Sequence, residues 1–192
     1  LGDVYKRQVD MIVKEAGSTA DLRVADICTG SGCIAVALAR NLTFPVITAI
    51  DISAPALEIA AENIKDLKVS SVTLLKADAT DPSELPGGEF DIIVANPPYI
   101  ADDERGSMDR NVLLYEPHSA LFVPDDDPLL FYRAIAGYAR THLSASGRLY
   151  FEINPIYAER LAAHMTDAGW RDVTLTRDIH GTYRFLSASR PE

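Results

Sequence analysis

From Arg23 onward, short apolar runs alternate with segments of helical spacing. RVADIC (23–28), VITAID (46–51) and FDIIVAN (90–96) are nearly all apolar, the pattern of strands buried on both faces. VTLLKAD (72–78) and RLYFEIN (148–154) read as two more strands. Ala and Leu recur at helical spacing from about Cys33 to Asn41. Ser53 offers an N-cap with Pro55 just inside, predicting a helix to about Leu67. A polar loop covers Asp102 to Asp127, and a helix from about Pro128 to Leu143 precedes the turn residues Ser146 and Gly147. A further helix covers about Tyr157 to Ala168 and stops at Gly169. VTLTRD and TYRFLSAS close the chain around a turn at His180-Gly181, with no helix between them, which predicts an antiparallel hairpin at one edge. The pattern as a whole predicts an α/β fold: a Rossmann-like, mostly parallel, seven-stranded sheet with helices on both faces. There is no internal repeat and no low-complexity segment.

The N-terminal end departs from this pattern. VDMIVKEAG reads as a helix, and residues 9–20 as a linker helix ahead of a single domain spanning 21–192. Leu1 to Gln8, LGDVYKRQ, matches neither period and reads as a remnant foreign to the fold or the broken edge of a longer chain.

Composition narrows the function classes. The 192 residues suffice for one domain with a real core. A formal charge of −10 opposes a phosphate backbone, so a nucleic-acid substrate is disfavoured unless a local basic patch exists. No apolar run approaches the ~18 residues of a membrane helix. The two cysteines, Cys28 and Cys33, are too few for a disulfide framework or a four-ligand zinc site. A reducing, cytoplasmic setting is expected.

In such sheets ligands sit past the carboxyl ends of the strands, where strand order reverses. The stretch Asp26-Ile-Cys28-Thr29-Gly30-Ser31-Gly32 occupies that place. Gly30 and Gly32 permit close backbone approach, and the next helix start offers free N–H groups. Asp51 ends the second strand, 19 residues after Gly32, where a carboxylate can accept from both ribose hydroxyls. Asp78, with Ala79, ends the third strand. The loop alone suits S-adenosylmethionine, the dinucleotide spacing G-x-G-x-x-A through Ala35, or a plain tight turn. Cys28 and Cys33 read as small packing residues.

FDIIVA then runs into Asn96-Pro97-Pro98-Tyr99. Pro97 biases Asn96 toward extended geometry, and neither proline can donate to a ladder. The Asn96 side-chain oxygen and the Pro97 carbonyl become two fixed acceptors, and Tyr99 adds a flat wall. Such a pair suits a planar –NH2, pinning a poor nucleophile and aiming it at an electrophilic carbon. A hydride-transfer site has no use for that grip, so the pair moves the cofactor reading to S-adenosylmethionine. A plain Pro-rich strand exit is the competing structural reading.

The motif does not separate a glutamine amide from adenine or guanine. VADICTGSGCIAVALA, AIDIS, FDIIVANPPYI, YEPHSAL (115–121), LLFYRAI (129–135), FEINPIYAERL (151–161) and RDIHGTYRF (177–185) together resemble the bacterial release-factor glutamine methyltransferases, the HemK/PrmC type. The resemblance covers nearly all of Val24 to Arg190. It implies a class I S-adenosylmethionine-dependent methyltransferase fold and transfer to the side-chain amide nitrogen of the Gln in a release factor's Gly-Gly-Gln loop. Cys28 to Gly32 would cradle the methionine part, Asp51 would bind ribose, and Asp78 and Ala79 would lie near adenine. Asn96 to Tyr99 would hold the substrate amide, while Glu116 and Pro117 would shape the pocket wall or merely pack a loop.

Two departures from the family stand out. It usually has glycine where this chain has Cys28, a thiol small enough for binding to survive. It also carries an N-terminal helical domain and a linker, neither of which this sequence contains, so cofactor binding with poor methylation of intact release factor is expected. The rival readings are an amino-methyltransferase for adenine or guanine in nucleic acid, a cofactor-binding module with little activity, and a hydride-transfer protein. His118, His142, His164 and His180 show no metal-like spacing. Asp125 to Asp127 read as a solvated loop and Trp170 as a packing residue; Glu152 on the fifth strand either lies near the site mouth or anchors the sheet, the anchor being the preferred reading.

Overall fold

The computed structural model describes residues 2–98, 100–101, 122–123 and 126–192. A seven-stranded sheet contains β1 (Arg23–Ile27), β2 (Val46–Asp51), β3 (Val72–Lys76), β4 (Phe90–Ala95), β7 (Leu143–Glu152), β8 (Arg171–Arg177) and β9 (Tyr183–Ser189). Two-residue strands β5 (Ile100–Ala101) and β6 (Phe122–Val123) pair in parallel outside it. The helices are α1 (Gly2–Ala16), α2 (Cys33–Asn41), α3 (Ala54–Asp66), α4 (Leu130–His142) and α5 (Ala158–Asp167).

The strand order is β3-β2-β1-β4-β7-β9-β8. The first five in that order run parallel, and β9 is antiparallel to both of its neighbours. Successive strands step outward from β1 through β2 to β3, and the chain then returns to place β4 on the other side of β1. That reversal opens a crevice at the carboxyl ends of β1 and β4.

Alternate side chains feed two cores. Val24, Ile92, Val94 and Tyr150 pack with Val9 and Ile12 of α1 and Ile34 and Leu38 of α2. Ala25, Ile27, Ile93, Ala95, Leu149 and Phe151 pack with Tyr132 and Ile135 of α4 and Leu161 and Met165 of α5. The apolar runs therefore arise because both sheet faces are covered, as their composition indicates. Trp170 is buried beside the second core, in the packing role expected of it.

The closing hairpin forms at one edge as expected, with β8 outermost and β9 between it and β7. Three expectations change. β7 starts at Leu143, five residues ahead of Arg148, because Ser-Ala-Ser-Gly is absorbed as an irregularity between the pairs Phe90–Leu143 and Ile92–Arg148. β3 stops at Lys76, and β1 and β4 end before Cys28 and Asn96, which leaves those residues on the rim. Residues 2–8 do not break from the helix: α1 runs from Gly2, Gln8 is fully buried, and Glu15 ties α1 to β7 through Tyr150 and Arg148. The rest of the 102–127 loop, with Glu116, Pro117, His118 and Asp125, lies outside the described residues, as does Tyr99.

Candidate active site at the sheet's carboxyl edge

Ile50, Ile27, Ala95 and Phe151 form one transverse row across β2, β1, β4 and β7. One residue further along each strand comes Asp51, Cys28, Asn96 and Glu152. The register thus brings residues far apart in sequence onto one edge.

The loop after β1 is pinned at each turn. Asp26 is fully buried, and its Oδ2 accepts from the Thr29 hydroxyl at 2.6 Å and the Ala35 N–H at 3.0 Å. Asp51 accepts from the Gly30 N–H at 2.8 Å and the Ser53 N–H at 2.9 Å, joining the first loop to the second. The Ser31 carbonyl accepts from Asn63 Nδ2 of α3 at 2.9 Å. Gly32 has φ of 77°, and a Cβ there would lie 3.1 Å from that of Ala60, so glycine lets α3 close against the loop. Cys28 also adopts left-handed backbone, with φ of 61°. The position suits glycine on conformational grounds, and a non-glycine residue bears about 1–2 kcal/mol of strain there.

The charge of this loop is negative. Asp51, Asp26 and Asp78 bear on the half-buried Cys28 thiol and, after burial, are what push it above its ordinary range. Burial pushes the Asp26 carboxyl up to about 7, against the opposing hydrogen bonds from Thr29 and Ala35. Its Oδ1 is buried with no partner among the described residues. Such a cradle fits a ligand with ammonium or other cationic groups, whereas a pyrophosphate would meet these carboxylates unfavourably. Asp78, past β3, accepts from the Thr80 hydroxyl and N–H through Oδ1, and Ala79 is buried beside it.

Asn96 lies across the crevice from this loop. Its Nδ2 donates to Glu152 Oε2 at 2.7 Å, and its Oδ1 is enclosed with no partner among the described residues. Pro97 and Pro98 are buried. The same edge therefore holds a buried, unpaired amide oxygen and an acidic loop. For Glu152 the sequence leaves a place near the site mouth or a sheet anchor, with the anchor preferred; the structure sets its carboxylate on the Asn96 amide. Its contact with Asn96 spans 56 residues and crosses a strand pair, so no local pattern signals it. Half-exposed Ile52, directly after Asp51, was also missed and adds an apolar flank.

Other candidates stay apart from the site. A cleft of about 500 Å³ along α2, lined by Val36, Arg40, Asn63 and Leu67 among others, touches the loop only from its outer side through Cys33 and Asn63. His142 stacks on Tyr138, and Asp127 pairs with Arg133. Among the described residues no cluster of His, Cys, Asp and Glu could hold a metal ion, and no helix is long and apolar enough to cross a membrane.

Comparison with known proteins bears on the fold and the family. The methyltransferase small domain model matches residues 9–119, more than half of the chain. A release factor glutamine methyltransferase of Bacteroides thetaiotaomicron is 45% identical over 182 residues, covering 95% of this chain and 64% of its own length. One from Flavobacterium psychrophilum is 41% identical over 184 residues, with 94% and 64% covered. The chain thus spans less than two thirds of these relatives. Among solved structures, a methyltransferase from Pyrococcus furiosus superposes with a TM-score of 0.68 at 18% identity, covering 95% of this chain and 82% of that one. A Streptococcus mutans protein described as a putative methyltransferase, in complex with SAH, gives 0.66 at 12% identity, with 97% of each chain covered. These structural likenesses establish the methyltransferase fold, and the sequence match establishes the group: the chain belongs to the methyltransferase small domain family.

Proposed function

We propose that the protein transfers a methyl group from S-adenosylmethionine to the side-chain amide nitrogen of the glutamine in a release factor's Gly-Gly-Gln loop. The observation that carries the proposal is the Asn96 amide just past β4, with Nδ2 held by Glu152 and Oδ1 a buried acceptor with no partner among the described residues. The names of the relatives, and their likeness over nearly the whole chain, favour a glutamine amide over a nucleobase. The net charge of −10 points the same way, since it opposes a nucleic-acid backbone.

When bound, S-adenosylmethionine supplies an electrophilic methyl on a sulfonium. The loop from Cys28 to Gly32, with Asp26, would hold the methionine part, and Asp26 Oδ1 is an acceptor suited to its ammonium. Asp51 would take the ribose hydroxyls with the lone pairs not used by Gly30 and Ser53. Asp78, Ala79 and Ile52 would border the base. Asn96 Oδ1 and the Pro97 carbonyl would accept the two N–H bonds of the substrate amide, with Tyr99 against its plane and Pro98 stiffening the turn. The two acceptors would orient the amide nitrogen and stabilise positive charge developing on it, the electrophilic methyl being what the cofactor supplies. The extra amide proton then leaves to solvent. A release-factor substrate places this activity in the cytoplasm.

Release factor incubated with the protein and S-adenosylmethionine is expected to gain one CH2 in mass, mapped by fragmentation to the Gln of the Gly-Gly-Gln loop. Asn96→Ala should slow transfer by at least ~100-fold, the scale of losing one positioned group. Label appearing in DNA or RNA and not in release factor would overturn the assignment in favour of a nucleobase amine.

A further inference from the structure

Asparagine's two amide ends have nearly the same shape, and only their partners decide which faces where. At Asn96 that choice determines whether the crevice presents an acceptor or a donor. We infer that Glu152 is the residue that sets the choice, acting as a positioning group for Asn96; the inference rests on the methyl-transfer reading above.

The fold gives Glu152 little freedom to do otherwise. β7 is paired on one side with β4 and on the other with β9, where Glu152 stands opposite Phe185. The next residue, Ile153, donates its N–H to the Arg184 carbonyl at 2.9 Å. Tyr132 of α4 donates to the Glu152 carbonyl at 3.2 Å. The side chain is 7% exposed and reaches Asn96 Nδ2 at 2.7 Å. A carboxylate only accepts, so it selects the nitrogen end and leaves Oδ1, a buried acceptor with no partner among the described residues, for the substrate. A flipped amide would set oxygen against carboxylate and turn its N–H bonds toward the N–H bonds of the substrate. A charged acceptor on the nitrogen also polarises the amide, making Oδ1 a stronger acceptor. Glu152 thereby places negative charge one group away from the nitrogen that becomes positive, without touching it.

A donor swap tests the pair. Asn96→Asp sets two carboxylates against each other and should lower kcat by about 100-fold or more. Glu152→Leu removes the selector and should lower kcat by about 100-fold, whereas Glu152→Gln can still accept through its own oxygen and should lose about 10-fold. The double variant Asn96→Asp/Glu152→Gln restores a donor–acceptor pair in reverse: the new amide on β7 donates to the new carboxylate after β4, whose second oxygen faces the crevice. It should recover at least about 10-fold over Asn96→Asp alone. The dissociation constant for S-adenosylmethionine, measured calorimetrically, should stay within about twofold in Glu152→Gln and Glu152→Leu, and thermal unfolding reports folding separately in every variant. A double variant no faster than Asn96→Asp, or a Glu152→Leu variant at full speed, would overturn the inference. The pair is also read without turnover. By NMR, one Asn96 Nδ2 proton, assigned by its loss in Asn96→Asp, should be shifted downfield and exchange slowly in the parent and lose both features in Glu152→Leu. If the parent methylates no release factor, the methyl-transfer reading fails. An unshifted, fast-exchanging Asn96 amide in the parent would instead sink the Glu152 inference alone.

Discussion

Asp26 shows how much one carboxylate contributes to the cradle. Burial raises its folded-state value from 3.8 to about 7. The folded state therefore holds this proton more tightly than the unfolded chain. Its contribution to stability is greatest below 3.8, falls as pH rises, and levels off above about 7, where both states are ionised. Asp26→Asn should flatten that decline, seen as a parent-minus-variant difference in denaturant stability that shrinks across the same window. A cationic ligand group at Oδ1 favours the ionised form, so binding should expel a proton below about 7. Titration calorimetry in buffers of differing ionisation enthalpy should show buffer-dependent heats that Asp26→Asn abolishes; equal heats in the parent would count against the ammonium at Oδ1. Asp26, Asp51, Asn96 and the loop glycines are legible from sequence because each sits at a strand end with its own local signal. The Asn96–Glu152 bond is not, since it depends on register between β4 and β7.

The α-helices and turns carry signals of uneven clarity. Ser53 accepts from the Ala56 N–H at 3.3 Å, the capping its type and the following Pro55 indicate. Ser-Ala-Ser-Gly misleads, because a turn-like run inside β7 is absorbed as a strand irregularity. The glycine loop separates two effects usually conflated. Gly30→Ala meets nothing within 4 Å and should lose only the about 1 kcal/mol of left-handed strain. Gly32→Ala carries the same strain and also presses on Ala60, so it should lose roughly twice as much and loosen α3 from the loop. Urea unfolding of the two variants checks the order; equal losses would mean that Ala60 yields freely. In α1, Gln8 is buried with neither amide atom partnered among the described residues. Gln8→Leu should stabilise the fold by about 1–3 kcal/mol, read as a higher denaturant midpoint at unchanged slope.

At the scale of the molecule, the alternation of strands and helices was enough to give the layered α/β architecture, because apolar runs report burial on both faces. The insertion of β9 was not legible, since a hairpin pattern is the same whichever of its strands faces inward. Covering both faces leaves the sheet's carboxyl edge as the place where polar groups collect, and the switch between β1 and β4 opens it there. The acidic character of that edge is local as well as global: three aspartates bear on one thiol within a chain of net charge −10.

The wedging of β9 between β7 and β8 has a consequence for how the molecule comes into being. During synthesis, β1 to β4 and their glycine loop can assemble early, while one flank of β7 has no hydrogen-bonded neighbour until residues 183–189 leave the ribosome. Glu152, which holds the Asn96 amide, stands on β7 opposite Phe185, so its surroundings are complete only once β9 has paired.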